Sequence, residues 1–398
     1  MESLFNIMER RLMLTPTTIV RDFINHINWD KHLISIKGSR GVGKTTLMLQ
    51  YIKLHYPPGS KTVLYCSLDS FYFSRYSLLE LAEKFYLNGG RHLFIDEVHK
   101  YPMWKREVKQ IYDEYPNLKM VISGSSLLSI RHGDADLSRR CFPYYMPGLS
   151  LREYLIFYKD IILPKYSLDT LIRDAATICY EVIAKCSPVA VFNEYCQIGY
   201  YPFYDGNKED YYISIENVLN YIIEQELTTL EGVNPAYIRK IKVMVSVLAN
   251  SLPFEVDITK LSKVLEINRE TVMHYLTILN NADILNLLYS DLLSVKKMQK
   301  PDKIYLHNTN LLYALSNKIE SGTVRETFAM SQLKPFHKIE YGKEKGDFLI
   351  DDKWRFEIGG SGKGFSQIAG EKDSFVFADN IENASGRKMP LWLLGFLY

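Results

Sequence analysis

The chain predicts an α/β fold. Its first 150 residues should build a five-stranded parallel sheet covered by helices on both faces. Two observations carry this. Short β-type runs alternate with helical stretches as far as about residue 149, and beyond that point helices dominate until short alternating runs return near the C-terminus. The composition is that of an ordinary globular chain, with 47% hydrophobic and 24% charged residues, which excludes a disordered or fibrous protein. The length of 398 residues implies two to three domains at roughly 150 residues each.

The elements follow in order. Leu33–Lys37 reads as the first strand. Residues 45–56 read as a helix, with Met48, Tyr51, Ile52 and His55 on one face and Pro57-Pro58 as the stop. A strand at 62–68 precedes a helix at 78–87 that ends at Gly89-Gly90. His92–Asp96 is the third strand, 105–115 a helix, 118–123 the fourth strand and 141–146 the fifth. Residues 149–158 and most of 167–250 read as helices around an aromatic turn at 199–204. A compact helical unit occupies 258–289, and short runs at 303–306, 347–350, 354–358 and 374–378 surround a helix near 324–332. The domains expected are 1–150, a helical lid or linker at 151–250, then 251–300 and 301–398.

Charge is unevenly spread. Residues 1–150 hold 20 Lys+Arg against 14 Asp+Glu, and the remainder holds 28 against 32. A basic front suggests that an anion is bound there. Five scattered cysteines without C-x-x-C spacing argue against a disulfide framework or a zinc site, and reduced thiols in a cytosol are the expectation. No basic-then-apolar leader opens the chain, and the apolar run at 391–398 is too short to span a bilayer, so no membrane is expected. The 29 tyrosines are an excess that the sequence does not explain.

Gly38-Ser39-Arg40-Gly41-Val42-Gly43-Lys44-Thr45 fits G-x-x-x-x-G-K-[ST] at every fixed position, with Thr46 next in line. The chemistry explains the pattern. Glycines let the backbone curl until its N–H groups face phosphate oxygens, and the helix that begins here adds its positive end. Lys44 can reach the β- and γ-phosphates, and the Thr45 hydroxyl can ligate Mg²⁺. The motif follows a predicted strand and opens a predicted helix, which is its confirming context. A P-loop NTPase fold with ATP and Mg²⁺ as ligands is expected.

The run His92-Leu93-Phe94-Ile95-Asp96-Glu97 is a buried strand that delivers two acids to the ligand edge of the sheet. Asp96 is the candidate Mg²⁺ residue, directly or through water. Glu97 is the candidate for orienting and polarising the attacking water. The strand at 62–68 lies between these two strands in sequence. Read as an inserted strand, and joined to the Glu after Asp, it points to hydrolysis rather than phosphoryl transfer.

The ordered set of motifs resembles AAA+-related bacterial and archaeal ATPases that carry a C-terminal nuclease-like domain of unknown function. It comprises the loop at 38–45, residues 94–102 with Trp104, Ile122-Ser123-Gly124-Ser125-Ser126, Leu137-Ser138-Arg139-Arg140 and residues 147–154. It continues with residues 303–310 and Tyr341-Gly342-Lys343-Glu344. The resemblance implies that Ser125 contacts the γ-phosphate or the lytic water. It implies that Arg140 offsets transition-state charge in cis or from a neighbouring subunit, although Arg139 stands where the family has Gly. His99 and Trp104 are read as loop and core residues.

Residues 258–289 look like a winged helix-turn-helix, with Glu266-Ile267-Asn268 as the turn and Asn268 as N-cap. Six Lys+Arg against four acids in 258–300 is thin for DNA. The C-terminal part resembles a PD-(D/E)XK nuclease core, with Glu326 on a helix and Asp347 opposite Glu357 across a hairpin centred on residue 352. Opposed carboxylates call for a cation, and Mg²⁺ is expected between them. The motif lysine is absent, since Gly359 stands there, and Lys363 is the substitute candidate. The functional reading is an ATPase coupled to rearrangement of C-terminal domains. The alternatives are a slow nucleotide switch acting on a protein client, or an ATP-gated DNA-processing protein. An oligomer is left open.

Overall fold

The computed structural model describes residues 1–127, 137, 139–251, 254–255, 257–290 and 300–398. It divides into two compact units, Met1–Pro147 and Gly148–Tyr398.

The front unit begins with α1 (Glu2–Leu14) and a single turn, α2 (Phe23–His26). There follow β1 (Leu33–Lys37), α3 (Lys44–His55), β2 (Val63–Ser67), α4 (Leu78–Leu87), β3 (His92–Asp96), α5 (Trp104–Glu114), β4 (Lys119–Ser123) and β5 (Phe142–Tyr145). All five strands are parallel, in the order β2-β3-β4-β1-β5. Strand β3 is buried throughout and β1 everywhere but Lys37, because helices cover both faces. Local chemistry sets the boundaries. Ser77 and Glu80 form a capping box at the start of α4. Pro57 follows the C-cap Tyr56 and cannot continue the helix.

The topology corrects one part of the sequence reading. The sequence order places the strand at 62–68 as the inserted one. In the structure β2 is the edge strand, and β4 stands between β1 and β3. Strand order is a non-local property, and order along the chain does not reveal it.

The rear unit opens with helices: α6 (Leu151–Lys159), α7 (Leu168–Arg173), α8 (Ala175–Ile183), α9 (Pro188–Ile198), α10 (Lys208–Tyr221), α11 (Leu227–Glu231) and α12 (Ile238–Ala249). A three-stranded sheet, β6 (Phe254–Glu255), β7 (Leu285–Leu288) and β8 (Lys303–Leu306), has the order β6-β8-β7. It flanks the helix pair α13 (Ile258–Leu265) and α14 (Arg269–Asn281). Asn268 caps α14 by accepting from Thr271 N at 2.7 Å. Lys296, Lys297 and Asp291, counted above for DNA binding, lie outside the described residues.

The chain ends with α15 (Thr309–Leu315), α16 (Ser321–Leu333) and the five-stranded sheet β13-β12-β11-β10-β9. These strands are β9 (Ile339–Tyr341), β10 (Phe348–Ile350), β11 (Trp354–Gly359), β12 (Ser374–Ala378) and β13 (Lys388–Pro390). Tyrosine is a structural material here. Asn310 is wholly buried, accepts from Tyr200 N and Tyr211 OH at 2.7 and 2.5 Å, and donates to the carbonyls of Tyr195 and Cys196. Tyr195 in turn donates to Leu149 O at 2.7 Å and accepts from Gln332. A tyrosine fills core volume as a phenylalanine does, and its hydroxyl satisfies a buried polar partner. Among the described residues no single helix is long and apolar enough to cross a membrane.

Candidate functional site

The loop after β1 is shaped by its glycines. Gly41 and Gly43 adopt φ of 87° and 98°, the left-handed region that side chains disfavour. At Gly38 a Cβ would lie 2.2 Å from the carbonyl oxygen of Met146, so no larger residue fits. Helix α3 starts at Lys44 behind Gly43 and has no side-chain cap. Its first-turn N–H groups therefore face the loop and suit an anion. The buried Lys44 ammonium lies inside the curl and donates to the carbonyls of Gly38 and Ser39 at 2.7 and 2.9 Å. Arg21, almost fully buried, props the loop from below through Val42 O at 3.2 Å and Pro147 O at 2.7 Å.

Asp96 ends β3 and is the hub of the site. Its Oδ2 accepts from the Thr45 hydroxyl at 2.7 Å and from the Tyr65 hydroxyl at 2.7 Å. Its Oδ1 accepts from the Ser123 hydroxyl and from the backbone N–H of Glu97 at 3.1 Å. A carboxylate has about four acceptor positions, and all four are in use. The Tyr65 hydroxyl also accepts from Arg11 of α1 at 2.8 Å. Burial, and then the charge of Asp96, raise the Tyr65 pKa, so the phenol stays a donor. Thr45 and Asp96 thus meet, as the Mg²⁺ expectation requires, and Thr46 lies beside them, exposed, in the first turn of α3.

Glu97 follows at φ 54° and ψ 42°, a left-handed conformation costly for a non-glycine residue. The turn aims its carboxylate toward the loop. It lies 3.3 Å from His99 Nε2 and 3.8 Å from the Arg40 guanidinium. Trp104 is buried at the start of α5. Ser125 lies two residues beyond β4, nearly buried, and its hydroxyl accepts from Leu127 N at 3.4 Å. The hydroxyl that reaches Asp96 from β4 is that of Ser123 instead.

Arg140 is placed elsewhere. Its guanidinium pairs with Asp113 at 2.9 and 3.3 Å. It precedes β5, in which Phe142 pairs with Ile34, so it stands at the opposite edge of the parallel sheet from Gly38. That is roughly 20 Å of strand rise away. The cis role read for Arg140 is therefore corrected, because the arginine and the loop lie at opposite ends of the strands.

Sequence reading missed three contributors: Tyr65, Ser123 and Arg21. For Tyr65 a signal existed, because parallel pairing of Val63 with His92 and Ser67 with Asp96 puts Tyr65 on the Asp96 face.

In the rear unit the structure brings Glu326, Asp347, Glu357 and Lys363 together. The β10–β11 pairing of Phe348 with Phe356 and Ile350 with Trp354 centres the hairpin on residue 352, so Asp347 lies across from Glu357. Where Mg²⁺ is expected, two ammonium groups already pair with these carboxylates. Lys303 Nζ lies 3.0 Å from Glu326 Oε2 and 3.1 Å from Asp347 Oδ1. Lys363 pairs with Glu357, its stem filling the space that a Gly359 side chain would take.

A parallel sheet with an inserted strand, a glycine-rich phosphate loop and an Asp-Glu pair give the front unit the fold of a P-loop NTPase. Comparison agrees: residues 30–155 match the family model described as AAA domain, and residues 190–321 match one described as a domain of unknown function, DUF8612. The chain is similar to two archaeal proteins of Methanocaldococcus jannaschii. It is 26% identical to uncharacterized protein MJ1637 over 73% of this chain and 64% of that protein. It is 24% identical to uncharacterized protein MJ1544 over 79% and 71% respectively. The chain thus spans less than two thirds of the first relative's length. A solved structure of C. elegans PCH-2 aligns over 66% of each chain at 14% identity with a TM-score of 0.27, a likeness too low to carry weight.

Proposed function

We propose that the front unit binds ATP with Mg²⁺ at residues 38–45 and hydrolyses it to ADP and phosphate. The observation that carries this is the meeting of Thr45, Asp96 and Glu97 at the rim of a loop that already holds the Lys44 ammonium. The loop N–H groups and Lys44 compensate the β- and γ-phosphate charge. Thr45 and Asp96 would hold Mg²⁺, with Asp96 orienting the Thr45 hydroxyl from which it accepts. A bound Mg²⁺ would supply positive charge against the terminal phosphates. Glu97 polarises a water whose oxygen bonds to the γ-phosphorus as the bond to the β–γ bridging oxygen breaks. The water's proton leaves through the Glu97 carboxylate. In this reading Ser125 contacts the γ-phosphate or the lytic water, and Arg140 serves only a neighbouring subunit.

Lys44→Ala should abolish nucleotide binding, and Glu97→Gln should bind ATP yet fail to turn it over. If both variants bound and hydrolysed ATP like the parent protein, the reading would be wrong. Turnover measured with and without DNA, alongside the mass by light scattering, separates a DNA partner and an oligomer from a protein client.

A further inference from the structure

The rear unit holds a cluster of opposite charges that nucleotide chemistry does not use. Glu326 lies on α16, Asp347 before β10, Glu357 on β11 and Lys303 on β8. The Lys303 Nζ sits between Glu326 and Asp347, about 3 Å from both, and its side chain is only 19% exposed. Tyr305, fully buried on the same strand, donates to Glu326 Oε2 at 2.6 Å. Asp347 Oδ2 accepts from Ile358 N at 2.9 Å. We propose that Lys303 is the resident cation of this acidic centre, and that the centre takes a divalent metal only when that ammonium is removed.

Space and charge both argue for this. A divalent ion between Glu326 and Asp347 would sit at about 2.0–2.6 Å from their oxygens, which is the volume the ammonium fills. Three carboxylates with Lys303 and Lys363 sum to −1 when all are ionised. A divalent ion added to that set gives +1 in a shielded site, whereas the same ion in place of Lys303 gives zero. Uncompensated buried charge is expensive, so the exchange is favoured over the addition. Burial lowers the affinity of Lys303 for its proton, but Glu326 and Asp347 outweigh burial and hold its pKa above the ordinary lysine value. The centre is also not saturated. Glu357 is 1% exposed, and its Oε2 has no hydrogen-bond partner. Burial, with Asp347 adding to it, raises the Glu357 pKa.

The test is Mn²⁺ binding followed by electron paramagnetic resonance on the full chain without nucleotide. The parent protein and Asp347→Asn should bind Mn²⁺ alike. Lys303→Met, which keeps the stem's packing, should gain one equivalent, and Lys303→Met with Asp347→Asn should lose it again. Loss of an Mn²⁺ ion from the parent protein on Asp347→Asn alone would overturn the proposal. So would a folded Lys303→Met protein, judged by circular dichroism, that gains none. The first comparison leaves Lys303 in place, so it decides the matter even if the methionine variant fails to fold. DNA cleavage by the parent protein with Mn²⁺, abolished by Asp347→Asn, would also refute the proposal.

Discussion

Replacing Tyr65 by phenylalanine removes one oxygen atom from the hub of the front site. The ring is 1% exposed and packed, so its volume and burial stay. What goes is the 2.7 Å donation to Asp96 Oδ2, together with the 2.8 Å acceptance from Arg11. A hydrogen bond to a charged acceptor contributes about 1.5–3 kcal/mol. Arg11 is exposed and can turn to water, so its loss adds little. Asp96 has no such escape, being 2% exposed. The Tyr65→Phe protein should therefore be less stable by about 1.5–3 kcal/mol in urea unfolding of the front unit. Asp96 would also hold Thr45 less firmly, and losing an orienting partner of this kind costs about 10–100-fold in metal affinity. The Mg²⁺ concentration for half-maximal ATP turnover should rise by that factor, with turnover at saturating Mg²⁺ much less changed. A purely structural tyrosine would lower stability and leave the Mg²⁺ dependence alone. Unchanged stability together with unchanged Mg²⁺ dependence would refute the hydrogen-bond assignment itself.

Two further outcomes are expected. Gly38→Ala would push a methyl group against the Met146 carbonyl, which the bond from Met146 N to Lys37 O fixes at 2.7 Å, so the loop must shift. A loss of about 1–3 kcal/mol, seen as a lowered thermal midpoint, and weakened ATP binding should follow. For acid sensitivity, His92 has its pKa lowered to about 3 by burial and then by Lys119, and His307 to about 4 by burial. The unfolded chain takes these protons near pH 6.5 while the folded chain refuses them, so stability falls as pH drops from 6.5 toward 4. The slope is about 1.4 kcal/mol per pH unit for each histidine. In His92→Leu, urea unfolding of the front unit at pH 7, 6 and 5 should show that slope reduced by one histidine.

What the sequence revealed was local. The phosphate loop, the Asp96-Glu97 pair and the Asn268 cap each depend on residues a few positions apart, and each stands where it was expected. The hairpin register was legible for the same reason, since alternation fixes which side chains share a face. The failures are non-local. Assigning the insertion to β4 rather than β2 needed the strand order. Arg140 looked close to the loop in a motif list, but β5 runs between them. Lys303 lies far ahead of Asp347 in the chain, and no spacing rule connects them. The tyrosine excess needed the packing around Asn310 before it had a reason.

Position 97 sets two demands that no single side chain meets. Its left-handed backbone would suit glycine or asparagine, and either should relax a strain of about 1–3 kcal/mol. The chemistry assigned to it needs a carboxylate on a longer arm. A selection for heat-resistant variants would therefore be drawn to this residue and would return a sturdier protein that no longer turns over ATP. The most tempting repair in the front unit would destroy the function proposed for it.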